Sequence, residues 1–302
     1  MRKTALGLVI SLMLLFGRVQ FLIAGDRAQE KVIVISVDGL SPKGLFDLWA
    51  RKKHSPLHDL VNKGAYTWQA QTCSLSSTLP CHASMLSGLT VTRHHVDWNS
   101  LLPERGSIDV PTVFSLARAA GLETVAIAQK EKFVHLVHQT GPERDIAFFE
   151  IQLDRQRVIG DAILCLGMVR PDFMFIHFKD VDQTGHSDGW YSDRQLAALS
   201  AIDDEIGRLI SELKKRKFWN SGVLIVTSDH GGHGKDHVGQ MPIDMTIPWI
   251  AYGHGIRHQQ LTCPVTTYDT AATAMYLLGL SPPENLEDHL FDGRVVTEIF
   301  QH

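Results

Sequence analysis

The chain has 302 residues, 33 acidic against 29 basic side chains, 44% hydrophobic residues, 24 Gly and 12 Pro. That is enough chain for a sizeable core, and the composition excludes a disordered, collagen-like or small disulfide-scaffold protein. The formal charge is -4; leaving out Arg2, Lys3 and Arg18 of the first 25 residues gives 26 cations against 33 acids, or -7. No basic stripe marks a nucleic-acid-binding surface.

Residues 1–25 (MRKTALGLVISLMLLFGRVQFLIAG) read as a signal peptide or N-terminal anchor. A basic start precedes the apolar run Ala5 to Gly17, which is too short to span ~30 Å of hydrocarbon as a helix. Arg18 interrupts the run, and Ala24 or Gly25 are only fair cleavage positions. An uncleaved anchor would extend to Ile23 and tether the protein to a membrane. Either way the body is expected to be exported, to a periplasm or the exterior. Cys73, Cys81, Cys165 and Cys263 show no C-x-x-C spacing, which argues against a cysteine metal site or redox motif. Disulfide pairing and buried free thiols both remain open to them, and free thiols are the expectation.

Lys31 to Val37 (KVIVISV) is a continuous β-branched run of the kind buried on both faces of a parallel sheet, and Asp38-Gly39 follows it. Ser74 to His82 leads into a short apolar helix, Ala83 to Leu89. Pro80 suits its first turn and puts Thr78 at or just before its N-terminus. A helical pattern from Pro111 to Ala120 stops at Gly121. The strand Thr124 to Ala128 is followed by Lys130-Glu-Lys132, and the strand Phe173 to Phe178 by Asp180, Asp182 and His186. Leu199, Ile202, Ile206, Leu209, Ile210 and Leu213 give Asp193 to Arg216 the apolar stripe of a long helix. The strand Val223 to Thr227 delivers Ser228, Asp229, His230 and Gly231, and Ile247 to Tyr252 is the last clear strand. Strands alternating with helices predict a three-layer α/β/α sandwich with a mostly parallel sheet, formed as a single domain by residues 31–302.

In such folds chemistry gathers beyond the carboxyl ends of the strands. Three predicted strand ends deliver carboxylates there, and two add imidazoles. Asp182-Gln-Thr-Gly-His186 pairs a carboxylate with an imidazole four residues on, with a Gly able to turn the backbone. Asp229-His230 is an adjacent pair, with His233 and His237 close behind. Mixed Asp and His donors without Cys suit zinc, manganese or iron better than calcium. The number of candidates exceeds one tetrahedral site, so two divalent ions are expected. Thr78 at a helix start reads as a nucleophile beside the Leu79 N–H, which can face an anion. The competing reading, favoured on these residues alone, makes Thr78, Ser77 or Ser76 simply the helix cap.

Asp38, Thr78 in T-L-P-C-H, Asn99 in H-H-V-D-W-N, D-x-x-G-H at 182–186, S-D-H-G at 228–231 and His237 together resemble the alkaline phosphatase superfamily. Within it they are most similar to the nucleotide pyrophosphatase/phosphodiesterase branch, whose nucleophile is Thr in T-x-P-x-H. Y-D-T-A-A-T, L-L-G-L and D-G-R between Tyr268 and Arg294 extend the likeness, which spans about residues 31–296. It implies an alkaline phosphatase-like fold and two divalent metal ions, zinc above all. Asp182, His186 and His237 would hold one. Asp38, Asp229 and His230, with the Thr78 oxygen, would hold the other, and His233 is the reserve ligand. Leu79 N–H and Asn99 would bind phosphoryl oxygens. The absence of C/S-x-P-x-R and of an Asp-Ser-Ala nucleophile argues against sulfatases and alkaline phosphatases proper. Only His230 to His237 stands where the branch usually carries a long insertion, which leaves nucleotide specificity open.

The resemblance implies a hydrolase that cleaves phosphodiester or pyrophosphate bonds of a small phosphate-ester substrate through a phospho-threonine on Thr78. Related phosphonoacetate hydrolases carry a K-x-K like Lys130-Glu-Lys132, so a phosphonoacetate hydrolase-like or phosphomonoesterase activity is the alternative. In that case Lys130 and Lys132 would meet the extra negative charge. The bland reading of those lysines is a solvated turn. A phosphotransferase and a metal-binding protein without turnover stand further back.

Overall fold

The computed structural model describes residues 22–23, 29–281 and 291–301. The leader proper and part of the Tyr268 to Arg294 tail lie outside these residues. Among the described residues, ten strands run in chain order: β1 (Leu22–Ile23), β2 (Lys31–Val37), β3 (Ala65–Gln71), β4 (Thr124–Ala128), β5 (Phe148–Ile151), β6 (Phe173–Phe178), β7 (Gly222–Thr227), β8 (Thr246–Gly253), β9 (Gln259–Gln260) and β10 (Leu280–Ser281). β1 pairs only with β10. The other eight form one sheet in the order β5-β4-β6-β2-β7-β8-β3-β9. From β5 to β7 every pairing is parallel; β8 runs antiparallel to both of its neighbours.

The pleat of β2 divides the core. Val32 and Val34 pack on one face with Phe114, Phe175 and Ala271. Ile33, Ile35 and Val37 pack on the other with Val158, Ile202 and Ile206. Helices Thr78–Ser87, Val113–Ala119 and Asp269–Leu277 cover the first face; Pro42–Arg51, Arg155–Met168 and Asp193–Lys215 cover the second. This is the three-layer α/β/α sandwich with a mostly parallel sheet. With both faces covered, the central strands are mostly apolar.

Several local expectations need correction. The helix begins at Thr78, as Pro80 in its first turn implied, but ends at Ser87, two residues before the expected Leu89. Asp182 to His186 lies inside a helix, Asp180–Asp188, and not in a turn. Gly185 serves a different purpose: a Cβ there would stand 2.7 Å from the Trp190 ring, which packs against this helix. Cys73 and Cys81 are joined in a disulfide, with Cα atoms 5.2 Å apart, while Cys165 and Cys263 are free. The loop that bends back into the Thr78 helix brings the two together, so the free-thiol expectation fails for this pair. Among the described residues, no helix is long and apolar enough to cross a membrane.

Candidate active site

The carboxyl ends of β2, β6 and β7 and the start of the Thr78–Ser87 helix converge on one point. Asp38 follows β2 and is fully buried. Its Oδ2 accepts from His177 Nε2 at 2.9 Å and lies 2.6 Å from Lys130 Nζ. Asp229 follows β7; its Oδ1 accepts the backbone N–H groups of Gly39 and His230, at 3.1 and 3.0 Å. Gly39 holds φ at +74°, a conformation open to glycine, and a Cβ there would stand 3.0 Å from the Asp182 backbone. The strand end can therefore press against the helix that carries Asp182.

Three histidines turn Nε2 toward these carboxylates because Nδ1 is held behind them. His230 Nδ1 lies 2.8 Å from Gly231 O, His237 Nδ1 2.7 Å from Ser76 O, and His186 Nδ1 2.9 Å from Lys235 O. Ser76, in left-handed backbone at φ +41°, also donates its hydroxyl to His237 O at 2.9 Å. Ser76 thus clasps the His237 loop and does not cap the helix. On the far side of the centre the rings of His230 and His237 stack with centroids 3.7 Å apart.

Asp182, His186 and His237 offer one ligand atom each within 4.8 Å of one another, and Asp38, Asp229 and His230 form a second such group. Asp38 Oδ1, Asp182 Oδ1, Asp229 Oδ2 and His230 Nε2 are buried with no hydrogen-bond partner. Orphaned polar atoms of this kind carry a large desolvation cost unless something binds them. Two groups of hard oxygen and imidazole donors, each aimed inward, fit two divalent cations. Burial alone would raise the Asp38 carboxyl, but Lys130, His177 and His230 hold it well below the usual carboxylate range. Burial and then the charge of Asp38 push Asp229 up to about 7. Burial and then His230 bring His237 down to about 4, which keeps it neutral, as a metal ligand must be. His233 stands apart: its Nδ1 is 2.8 Å from Asp244 Oδ1, and it joins neither group.

Thr78 is the first residue of its helix, and Ser77, at the cap position, makes no side-chain cap bond. The buried Thr78 Oγ1 accepts from Lys130 Nζ at 3.1 Å. The same ammonium is 2.7 Å from Asp182 Oδ2, so it bridges the two ligand groups. Lys130 is no solvated turn residue. Leu79 N–H already donates to Asn99 Oδ1 at 2.9 Å, and Lys132 Nζ meets the same oxygen at 2.8 Å. The Asn99 carbonyl oxygen is thus held by both Leu79 N–H and Lys132. A cavity of about 320 Å³ opens beside Asn99, Lys130 and Lys132 and continues to Lys179.

His177, His82 and Trp190 belong to the site and carried no role in the sequence reading. His82 Nδ1 is 2.7 Å from the Thr78 carbonyl and its Nε2 2.8 Å from Ser36 Oγ, which fixes the first helical turn. Trp190 Nε1 donates to Gly39 O at 3.1 Å, and its ring fills the space that Gly185 and Gly232 leave open. The signal for His177 was a lone imidazole in the otherwise apolar run Phe-Met-Phe-Ile-His-Phe.

Residues 32–244 match the family model described as type I phosphodiesterase / nucleotide pyrophosphatase. Human ectonucleotide pyrophosphatase/phosphodiesterase family member 5 is 24% identical over 218 residues, 67% of this chain and 45% of that protein. Bis(5'-adenosyl)-triphosphatase enpp4 of Xenopus laevis is 24% identical over 227 residues, 68% of this chain and 48% of that protein. The chain thus spans about half the length of these curated relatives. An inactive variant of murine ectonucleotide pyrophosphatase/phosphodiesterase 5, solved in complex with AMP, superposes with a TM-score of 0.73 at 16% identity. That alignment covers 90% of this chain and all of the other. The family match takes in Asp38, Thr78, Asn99, Asp182, His186, Asp229, His230 and His237, so the cluster at the strand ends lies wholly within it, and the chain belongs to the type I phosphodiesterase / nucleotide pyrophosphatase family.

Proposed function

We propose that the protein is an exported two-metal phosphoric-ester hydrolase that cleaves phosphodiester or pyrophosphate bonds through a phospho-threonine on Thr78. The observation that carries this reading is the position of Thr78 Oγ1, at a helix start and 3.1 Å from an ammonium that touches both groups of orphaned ligands. Family membership and the nucleotide-directed names of the relatives support a nucleotide-like leaving group. The leader and the Cys73–Cys81 disulfide support export, since disulfides persist in oxidising compartments.

Asp182, His186 and His237 would hold one divalent ion, and Asp38, Asp229 and His230 with Thr78 the other, zinc being the expected metal. Such ions supply Lewis-acid stabilisation of charge on the attacking and leaving oxygens. The chain provides the rest. Lys130 holds the Thr78 oxygen and stabilises negative charge as its proton leaves. Asn99 orients a phosphoryl oxygen, and His82 keeps the Thr78 turn in place. The new bond joins Thr78 Oγ1 to phosphorus while the bond to the leaving oxygen breaks, and the proton lost by Thr78 ends on that leaving oxygen. Water then attacks phosphorus, the Thr78–phosphorus bond breaks, and one water proton returns to the Thr78 oxygen.

A second reading, a monoesterase or phosphonoacetate hydrolase-like activity, is favoured by one observation: Lys130 and Lys132 both reach the site, and Lys132 does so through Asn99. A panel of bis-ester, mono-ester, dinucleotide and phosphonate substrates, assayed with the metal-reconstituted protein, separates the two. Turnover of none of them would defeat both.

A further inference from the structure

The strands that carry the site at their carboxyl ends present a very different surface at their amino ends. The long helix Asp193–Lys215 runs out in Lys214-Lys215-Arg216-Lys217, and Phe218-Trp219 follow at once. Lys31, Arg170, Arg216, Lys217 and Phe218 line one cavity of about 380 Å³ there. Lys214 and Trp219 line a neighbouring one of about 400 Å³. Lys31 pairs with Asp172, and Lys215 and Arg216 pair with Glu212; Asp59 and Lys63 line the second cavity with Lys214. Arg118 and Glu123, close by, pair with one another. Among the described residues, no ion pair involves Arg170, Lys214 or Lys217.

Apolar side chains stand out beside them. The helix Arg155–Met168 ends on this side, with Met168 76% exposed and Leu164 56% exposed. Arg216 reaches across to this helix, 3.6 Å from where a Cβ on Gly167 would be. Exposed Leu and Met next to unpaired Lys and Arg, with a half-buried Trp219, is the composition of a surface that sits at a lipid–water boundary. The chain also enters from this side: Lys31 opens β2, and Glu30 N–H donates to Leu277 O at 3.0 Å. The site lies at the other end of β2, about 20 Å away along seven residues.

We infer that the amino-end face of the sheet, centred on Lys214–Trp219, Arg170 and Met168, docks on an anionic phospholipid bilayer and holds the catalytic end away from it. Phospholipid phosphates would meet the cations, while Met168 and Leu164 enter the headgroup region. Neutral lipid offers the apolar contact alone, so binding must depend on anionic lipid and weaken with salt.

The test uses the full chain with sedimented vesicles of phosphatidylcholine alone or with 30% phosphatidylglycerol, at low and high salt. A retained leader carries Arg2, Lys3 and Arg18 and itself favours anionic vesicles, so the face is read from the difference between the wild type and variants that share the same leader. The wild type is expected to bind the anionic vesicles at least tenfold more tightly, and to lose that margin at high salt. Two variants lie on separate elements: Lys214→Gln/Lys215→Gln/Lys217→Asn and Met168→Ser/Arg170→Asn. Asn is chosen where φ is positive, +56° at Lys217 and +55° at Arg170. Each variant should keep the wild-type circular dichroism and melting temperature and reduce the anionic margin several-fold. Equal wild-type binding to both vesicles, or variants that retain the full margin, would overturn the inference. Tighter binding to a labelled oligonucleotide than to anionic vesicles would overturn it in favour of a nucleic-acid surface.

Discussion

His177 Nε2 lies 2.9 Å from Asp38 Oδ2, and His177 Nδ1 accepts the Gln129 backbone N–H at 3.3 Å. The two bonds fix the tautomer, with the proton on Nε2, and turn the carboxylate so that Oδ1 is left facing the orphaned ligands. Both side chains are fully buried, so neither can rotate away into water. His177→Ala should cut metal affinity 10- to 100-fold, as loss of a group that orients a ligand does. His177→Gln, which keeps a donor within reach, should recover part of it. Metal titration followed by calorimetry checks this; equal affinity in wild type and His177→Ala would dismiss the role.

Thr78 separates chemistry from capping. Thr78 lies one residue past the cap position held by Ser77, and its hydroxyl meets Lys130, so Thr78→Ala should change stability by less than the ~1 kcal/mol of a lost cap. Turnover should nevertheless fall by roughly a thousandfold or more, as when a nucleophile is removed. Thr78→Ser, with a hydroxyl still beside Lys130, should retain measurable activity. Acid-quenched protein digested for mass spectrometry should carry phosphate on Thr78 and not on Ser76, whose hydroxyl is committed to His237 O. Near-normal turnover in Thr78→Ala would end the mechanism.

Which parts of this were legible beforehand follows from physical range. β2, β4, β6 and β7 are buried on both faces, so their apolar runs announce them. The ligands that follow those runs could be placed without knowing any contact. β3 (AYTWQAQ) alternates between buried and exposed positions and pairs antiparallel with β8, so no continuous run marked it. Lys130 sits two residues after a strand end, and sequence could not decide whether so long a side chain turns inward or out. The two inward carboxylates decide it, and they are 92 and 52 residues away. The Cys73–Cys81 bond depends on a loop doubling back, which spacing alone does not encode.

Metal content offers a prediction with an internal control. Purified protein should bind about two transition-metal ions per chain. Asp229→Ala, which removes a buried ligand oxygen and leaves Asp38 and His230 behind, should lower that number. Asp203 on the long helix is also buried, but it serves the fold: Lys52 Nζ is 2.8 Å from its Oδ2, and Leu57 N–H donates to its Oδ1 at 2.8 Å. Asp203→Ala should therefore cost about 3 kcal/mol of stability with metal content unchanged. The cost stays near the low end because Lys52 keeps Asp204 as a partner at 2.7 Å. Asp204→Ala, at an exposed position, should alter neither quantity by much. Elemental analysis and thermal melts read the two axes separately, and metal lost in Asp203→Ala but retained in Asp229→Ala would reverse the assignment.

Lys132 links pH to substrate charge. Burial, and then the neighbouring Lys130 charge, bring its ammonium down from the usual lysine range to about 8, against the pull of Asp38, Asp182 and Asp229. Because the value is lowered, the group is charged below pH 8 and loses its proton as pH rises through 8. A monoester or phosphonate carries nearly two negative charges near neutral pH, whereas a diester carries one. Below pH 8 the charged Lys132 can donate to that second charge across the Asn99 side of the cavity; above pH 8 it cannot. The kcat/KM for a monoester or phosphonate should therefore fall roughly tenfold or more as pH crosses 8, about the worth of one hydrogen bond to a charged group. Diester turnover should show little of this step. In Lys132→Ala the monoester step should vanish and leave the low, high-pH value at every pH, while Lys132→Arg should move it beyond the accessible range. Profiles of both substrate classes across pH 6 to 10, in wild type and the two variants, make the comparison. An unchanged step in Lys132→Ala would assign the titration to another group and return Lys132 to a structural role beside Asn99.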